Sequence, residues 1–211
     1  MRYLIICVSL LIFSFLSQSQ EISEFPDTLH VRFLYGSKPK PEHKKVQKRW
    51  FGGTLGGHVG IQYDSKRYLS FFFEGRAHIF QHNKQKNGRY ALQTDSTFNF
   101  IMDKDVDSVK SLSIYIPITR IQKEKFLSIS DAYIKETPYD YAFFGVRCGS
   151  STYDVLSQIG VLKHFSYFKM WSKIFYPKKL RWRLIRQAKK NKWLTIKKKG
   201  THKRIWERDT D

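Results

Sequence analysis

The supply of cysteine is the tightest constraint on what this chain can fold into. Its 211 residues hold only Cys7 and Cys148, and Cys7 lies within an apolar leader. Packing, not covalent staples, must therefore hold the fold. With 41% hydrophobic and 16% aromatic residues there is enough apolar material to do so, which excludes wholesale disorder. The length suits one ordinary domain, with or without a tail.

The leader MRYLIICVSLLIFSFLSQSQ has a basic start at Arg2, an apolar run from Tyr3 to Leu16 and a small polar end. This is the layout of a secretory signal peptide, with Ser17 and Ser19 flanking a cut before Gln20. Residues 1–19 are thus expected to be removed. The apolar run is shorter than the roughly 20 residues needed to cross a bilayer, so the mature chain is expected to have no transmembrane span. The expected location is the periplasm or the medium. Cys148 is then an unpaired thiol in an exported protein: an inert core residue, a partner for another chain, or a reactive nucleophile.

Along the mature chain, Leu29 to Tyr35 alternates as a strand does, and the Lys- and Pro-rich stretch from Gly36 to Trp50 reads as a basic loop. After glycines at 52, 53, 56 and 57, His58 to Tyr63 and Tyr68 to Glu74 flank a turn at Asp64 to Arg67 and read as a hairpin. A short strand is expected near His78 to Gln81. Residues 83–108 are polar and without pattern, and Val109 to Ile118 is a strong strand. Thr119 and Gln122 have the spacing of a capping box, opening a helix with Ile121, Phe126, Ile129 and Tyr133 on its apolar face and ending at Thr137-Pro138. Cys148 to Ile159 has helical spacing and stops at Gly160.

From residue 163 to the C-terminus there are 17 Lys plus Arg against 3 Asp plus Glu, so this segment carries +14 of the chain's formal charge of +20. Pro177 is expected to start a helix reaching Asn191, with Leu180, Leu184, Ile185 and Ala188 inward and Lys178, Arg181, Lys189 and Lys192 outward. The recurrent tryptophans in this segment indicate that it packs on the domain. The expected organisation is a signal peptide over 1–19, a domain over 20–162 and a basic helical extension over 163–211.

A thiol at a helix N-terminus is favoured as thiolate by the oriented N–H groups and the dipole. Cys148 has that placement, and small Gly149, Ser150 and Ser151 follow it. The required base is His58, which opens a strand after a glycine pair. The hairpin register puts Phe73 or Glu74 across from it, so Glu74 is the carboxylate in reach to orient the ring. The plainer alternatives are a strand-end histidine and a surface carboxylate. His78 is the reserve.

Gly-Gly-His58-Val-Gly-Ile, the hairpin to Phe-Glu74-Gly, Tyr139-x-Tyr141 and Arg-Cys148-Gly-Ser-Ser at a helix start resemble the permuted branch of the NlpC-type papain-like superfamily, which includes lecithin:retinol acyltransferase-like and YiiX-like proteins. The resemblance spans about residues 29–161. It implies an α+β fold with an antiparallel sheet packed against the Cys-bearing helix, and a cysteine hydrolase or acyltransferase working through an acyl-enzyme on Cys148, with His58 as base and Glu74 as third residue. Substrates in this family are cell-wall peptides or lipid acyl groups. Arg147 stands where many relatives have Asn.

The rival reading is a non-catalytic basic module that binds an anionic polymer, a membrane surface or nucleic acid. Export disfavours nucleic acid; an anionic envelope surface, met through the C-terminal segment, is the expected partner. No cofactor is expected. His58, Glu74 and His78 lack the spacing of a zinc peptidase site, and the glycines at 52–57 precede a strand rather than a helix, so no metal or phosphate-loop site is expected either.

Overall fold

The computed structural model describes residues 27–45, 56–82, 84–100 and 108–207. The leader, and with it the expected signal peptide, lies outside the described residues, as do Gly52 and Gly53.

The protein has a mixed α+β fold built on a six-stranded antiparallel sheet. Its strands are β1 (Asp27–Tyr35), β3 (Gly57–Gln62), β4 (Arg67–Phe73), β6 (Gly88–Thr94), β7 (Ser111–Ile118) and β9 (Thr195–Lys198), in the order β6-β4-β3-β1-β7-β9. Two small pairs lie outside it. β2 (Ser37–Pro39) pairs antiparallel with β10 (Arg204–Trp206), and β5 (His78–Phe80) pairs in parallel with β8 (Ala142–Phe144). The helices are α1 (Asp95–Phe100), α2 (Arg120–Lys135), α3 (Cys148–Gln158), α4 (Tyr167–Lys173) and α5 (Pro177–Asn191).

Strand alternation divides the sheet into two faces. Leu29, Val31, Phe33 and Tyr35 of β1, Val59 and Ile61 of β3, and Leu112, Ile114, Ile116 and Ile118 of β7 all point to one side, where they form the main core with residues of α2, α3 and α5. Leu34, Tyr68, Phe98 and Val109 form a separate, smaller cluster, on the side that α1 covers. Gly60 is needed there, because a Cβ on it would lie 2.7 Å from the Phe98 ring.

Several elements form for the reasons their residues suggest. In α2 the Thr119 hydroxyl accepts from Gln122 N–H, while the Gln122 side chain accepts from Thr119 N–H. Pro177 opens α5, and Leu180, Leu184, Ile185 and Ala188 are buried as expected. Gly160 ends α3 region with φ +80°. Ile121, expected on the apolar face of α2, is instead 76% exposed, since it falls in the first turn, before the helix reaches the core. The polar stretch also holds more regular structure over residues 84–100 than its composition suggests. β6 pairs with β4 along its whole length and α1 follows it directly. β6 inserts only Tyr90 as a fully buried side chain, too few apolar positions to make a readable alternation.

The basic C-terminal segment is integral to the domain. It supplies the edge strand β9, and α5 packs on the same sheet face as α3. Arg181, expected to face outward, is completely buried. Its guanidinium lies 3.9 Å from the centroid of the Tyr35 ring and 3.0 Å from the Glu207 carboxylate, which is also buried. The Glu207 N–H donates to the Gly36 carbonyl, so this ion pair and the β2–β10 ladder together tie the last described residues to the end of β1 and to β2. A buried pair contributes little against an apolar replacement, but losing one partner leaves an uncompensated charge. Glu207→Ala is therefore expected to destabilise the fold by about 3 kcal/mol or more, read as a lowered urea midpoint; a loss under about 1 kcal/mol would show that Arg181 is satisfied without it.

Candidate functional site

Cys148 begins α3, and every residue of α3 from Cys148 to Ser157 is buried. The helix packs against both β3 and β4. These strands pair only from Gly60 to Gln62 with Tyr68 to Ser70; beyond Ser70, β4 continues alongside β6 alone. Where they part, the Val59 N–H is free to donate to the Cys148 Sγ. The Gly149 N–H and the residue's own N–H also reach the sulfur, and the Tyr141 hydroxyl is bonded to it.

Backbone donors and the nearby Arg147 charge favour the thiolate, as expected of a helix N-terminus. Burial outweighs them: the residue is 3% exposed, and desolvation pushes the thiol up to about 11. Cys148 is thus a protonated core thiol at neutral pH, the reverse of the activated state the sequence suggests.

The residues flanking Cys148 are covered from the C-terminal half of the chain. A Cβ on Gly149 would lie 2.9 Å from Pro177 N, so only glycine admits the start of α5 here. Arg147 is clamped between aromatic faces, its guanidinium 4.2 Å from the ring centroids of both Phe143 and Phe175, and it donates to the Phe143 carbonyl at 2.7 Å.

His58 does not meet Cys148. In the β1–β3 register Val59 faces Phe33 and His58 faces Leu34. Val59 therefore points into the core under α3, whereas His58 points to the opposite face of the sheet, its ring 5.3 Å from Phe98. The expected thiol–imidazole pair is corrected on this point: the period of two puts the backbone of β3 between the two groups. Gly57, at φ +109°, packs where a Cβ would strike the Leu34 carbonyl, which explains the need for glycine before His58 as backbone fit.

Glu74 is not drawn to His58 either. The hairpin register, extended past its last pair, would place Phe72 across from His58. Glu74 lies beyond the end of β4, exposed, where it accepts from Arg89. This is the surface-carboxylate alternative.

His78 has the better-built environment. Its Nδ1 lies 2.8 Å from the buried Asp140 carboxylate, which also accepts from the His82 and Asn87 backbone N–H groups at 2.8 and 2.9 Å. These bonds keep the Asp140 carboxyl below its usual range despite burial, which opposes them. Asp140 carries no signal in the sequence: an aspartate between two tyrosines has no informative spacing, and its partners lie more than 50 residues earlier, at the start of β5 and in the loop after it.

The charged surface lies elsewhere. On α5, Lys179, Arg186, Lys189 and Lys190 are exposed opposite the buried face. Between α5 and β9 there is a hollow floored by Leu112, Ile185, Ala188 and Trp193, with Lys189 and Lys197 in its wall. From residue 163 to residue 206 the chain contains no Asp or Glu, so nothing acidic in the segment offsets this surface. Among the described residues no three potential metal ligands cluster, and no helix is long and apolar enough to cross a membrane. Comparisons with models of known protein families, with curated proteins and with solved structures find no match.

His58 has a distinct thermodynamic signature. Burial lowers its pKa from 6.5 to about 4, and its Nε2 has no hydrogen-bond partner among the described residues. Because the unfolded chain takes up this proton first, the contribution is full above about pH 6.5 and is lost as pH falls towards 4, to a total of about 3 kcal/mol. His58→Leu is expected to flatten that part of the stability profile, measured as urea midpoints from pH 7 to pH 4. Parallel profiles for the two proteins would show that His58 titrates normally.

Proposed function

We propose that this protein is a peripheral binding module that attaches to an anionic surface through α5 and the β9 edge. The observation that carries this reading is the one-sided distribution of charge on α5: its apolar residues are buried on the sheet, and Lys179, Arg186, Lys189 and Lys190 lie towards solvent, the last two near the Lys189–Lys197 hollow, whereas Arg181, Lys178 and Arg183 are held by Glu207 or by aromatic rings. An excess of +20 over the whole chain attracts such a surface before contact is made. Export of the chain, as its leader suggests, would bring it to the cell envelope, where phospholipid headgroups and wall polymers supply the anions.

With inorganic polyphosphate as probe, affinity is expected to fall at least tenfold between about 50 and 200 mM salt. The triple variant Arg186→Glu, Lys189→Glu, Lys190→Glu should lose most of the binding at the lower salt, in an equilibrium titration. Unchanged affinity in the triple variant would overturn the assignment of this face.

A second reading keeps the permuted NlpC-type, papain-like resemblance and makes the protein a cysteine hydrolase. It is favoured by the backbone N–H groups around the Cys148 Sγ; the oriented imidazole it would call on is His78, held by Asp140, which would have to be brought to the sulfur. Catalysis would require the thiol to be uncovered. The two readings part on one measurement. Under the binding reading, iodoacetamide labels Cys148 at neutral pH far more slowly in the folded protein than in the urea-unfolded chain. Labelling of the folded protein at the unfolded rate or faster would transfer the case to hydrolysis.

A further inference from the structure

The β5–β8 pair is a ribbon without a sheet behind it. His78 is level with Ala142 and Phe80 with Phe144, which places Ile79 level with Phe143. Successive residues of a strand start out on opposite sides, but the Phe143 and Phe144 rings both turn to Phe175, at 5.6 and 6.3 Å, so the aromatic rings gather at one edge of the ribbon. All four are open to solvent, Phe80 at 66% and Ile79 at 64%. The rings also form one cluster: Phe80 stacks on Phe144 at 5.5 Å, Phe144 meets Phe143 at 4.9 Å, and Phe143 meets Phe175 at 5.6 Å. A soluble surface scatters such residues singly. A narrow projecting ribbon that exposes four large apolar side chains together is suited to entering an apolar medium.

The charges around it choose the medium. Arg147 stands at the base of the ribbon, its guanidinium over the rings of Phe143 and Phe175. Arg76, Lys84, Lys86 and Lys173 are exposed on the chain just before β5, just after it and just before Phe175. The neighbouring acids are already engaged, Glu74 by Arg89 and Asp140 by His78 and two backbone N–H groups. Aromatic side chains at a tip with cations behind them match the boundary of an anionic bilayer, where rings enter the acyl region and the cations stay at the phosphates.

We infer that the β5–β8 ribbon is a lipid-insertion element, which enters the headgroup–acyl boundary of an anionic phospholipid bilayer through Ile79, Phe80, Phe143 and Phe144. This rests on the anionic-surface reading above and names the surface as lipid. Phe175 directly precedes the turn into α5, so insertion here and attraction along α5 occur on connected parts of the chain.

The test uses the full mature chain with vesicles of phosphatidylglycerol mixed with phosphatidylcholine, and with polyphosphate in parallel. The double variant Phe80→Ser, Phe144→Ser is expected to bind the vesicles at least about tenfold more weakly and to keep wild-type affinity for polyphosphate. In Phe80→Trp, acyl chains brominated near the carbonyl should quench fluorescence beyond the quenching seen in the wild type. Undiminished vesicle binding by the double variant, or absence of that added quenching, would overturn the inference. So would a wild-type dimer that the double variant dissociates, because a second copy would then be what covers the ribbon. Wild-type binding to polyphosphate but not to vesicles would overturn the lipid assignment alone; binding to neither would overturn the anionic-surface reading itself.

Discussion

The parting of β3 from β4, and the seating of α3 against both, is the constraint on which the rest of this structure depends. A sheet interior normally satisfies each backbone N–H with a neighbouring strand. Here the Val59 N–H donates to the Cys148 Sγ, so a helix terminus takes over part of the pairing that a strand would have made. That seating buries α3 on all sides, and a buried helix terminus must be covered. Gly149 is the point at which the cover fits, since Pro177 approaches where any side chain would stand. The sole thiol of the described residues is thereby a packing element, held protonated by its own burial.

Charge in this protein is used in two physically different ways. Most of the C-terminal lysines and arginines are solvated and act at a distance, where ionic strength governs their effect. Arg181 and Arg204 are enclosed. Arg181 stacks on Tyr35 beside Glu207, and Arg204 donates to the Ser37 hydroxyl at 2.7 Å. Both contacts join the end of the described chain to its beginning, across more than 140 residues. A basic segment whose charge suggests a loose appendage is therefore closed into the domain by two of its own cations.

The sequence was most legible where one local rule decides the outcome. The Thr119–Gln122 capping box, the stop at Gly160, the proline start of α5 and the alternation of β1 and β7 all follow from contacts within a few residues. Legibility failed where a partner arrives from far along the chain. The outward assignment of Arg181 followed its charge, although the helical period places it in one stripe with Leu184, Ile185 and Ala188; that a cation can be buried there depends on Tyr35 and Glu207 meeting it, which no local rule anticipates. β6 and α1 were hidden because β6 contributes few apolar positions and depends on pairing with β4. In the candidate site the placement of Cys148 at a helix N-terminus was legible, whereas the face to which His58 points was not. It depends on strand phase, and a shift of one residue moves a side chain through the sheet.

By itself the sequence determined an α+β chain held by packing without disulfides, a cysteine at the start of a helix, and a strongly basic C-terminal quarter. These are properties of composition and short-range spacing. Only the tertiary structure decided that the thiol is sealed, that His58 lies across the sheet from it, that Glu74 serves Arg89, and that Phe80 and Phe144 are left in solvent. Each of these depends on which distant residue desolvates or leaves open a given group, and that is set by register and by the order in which strands join the sheet.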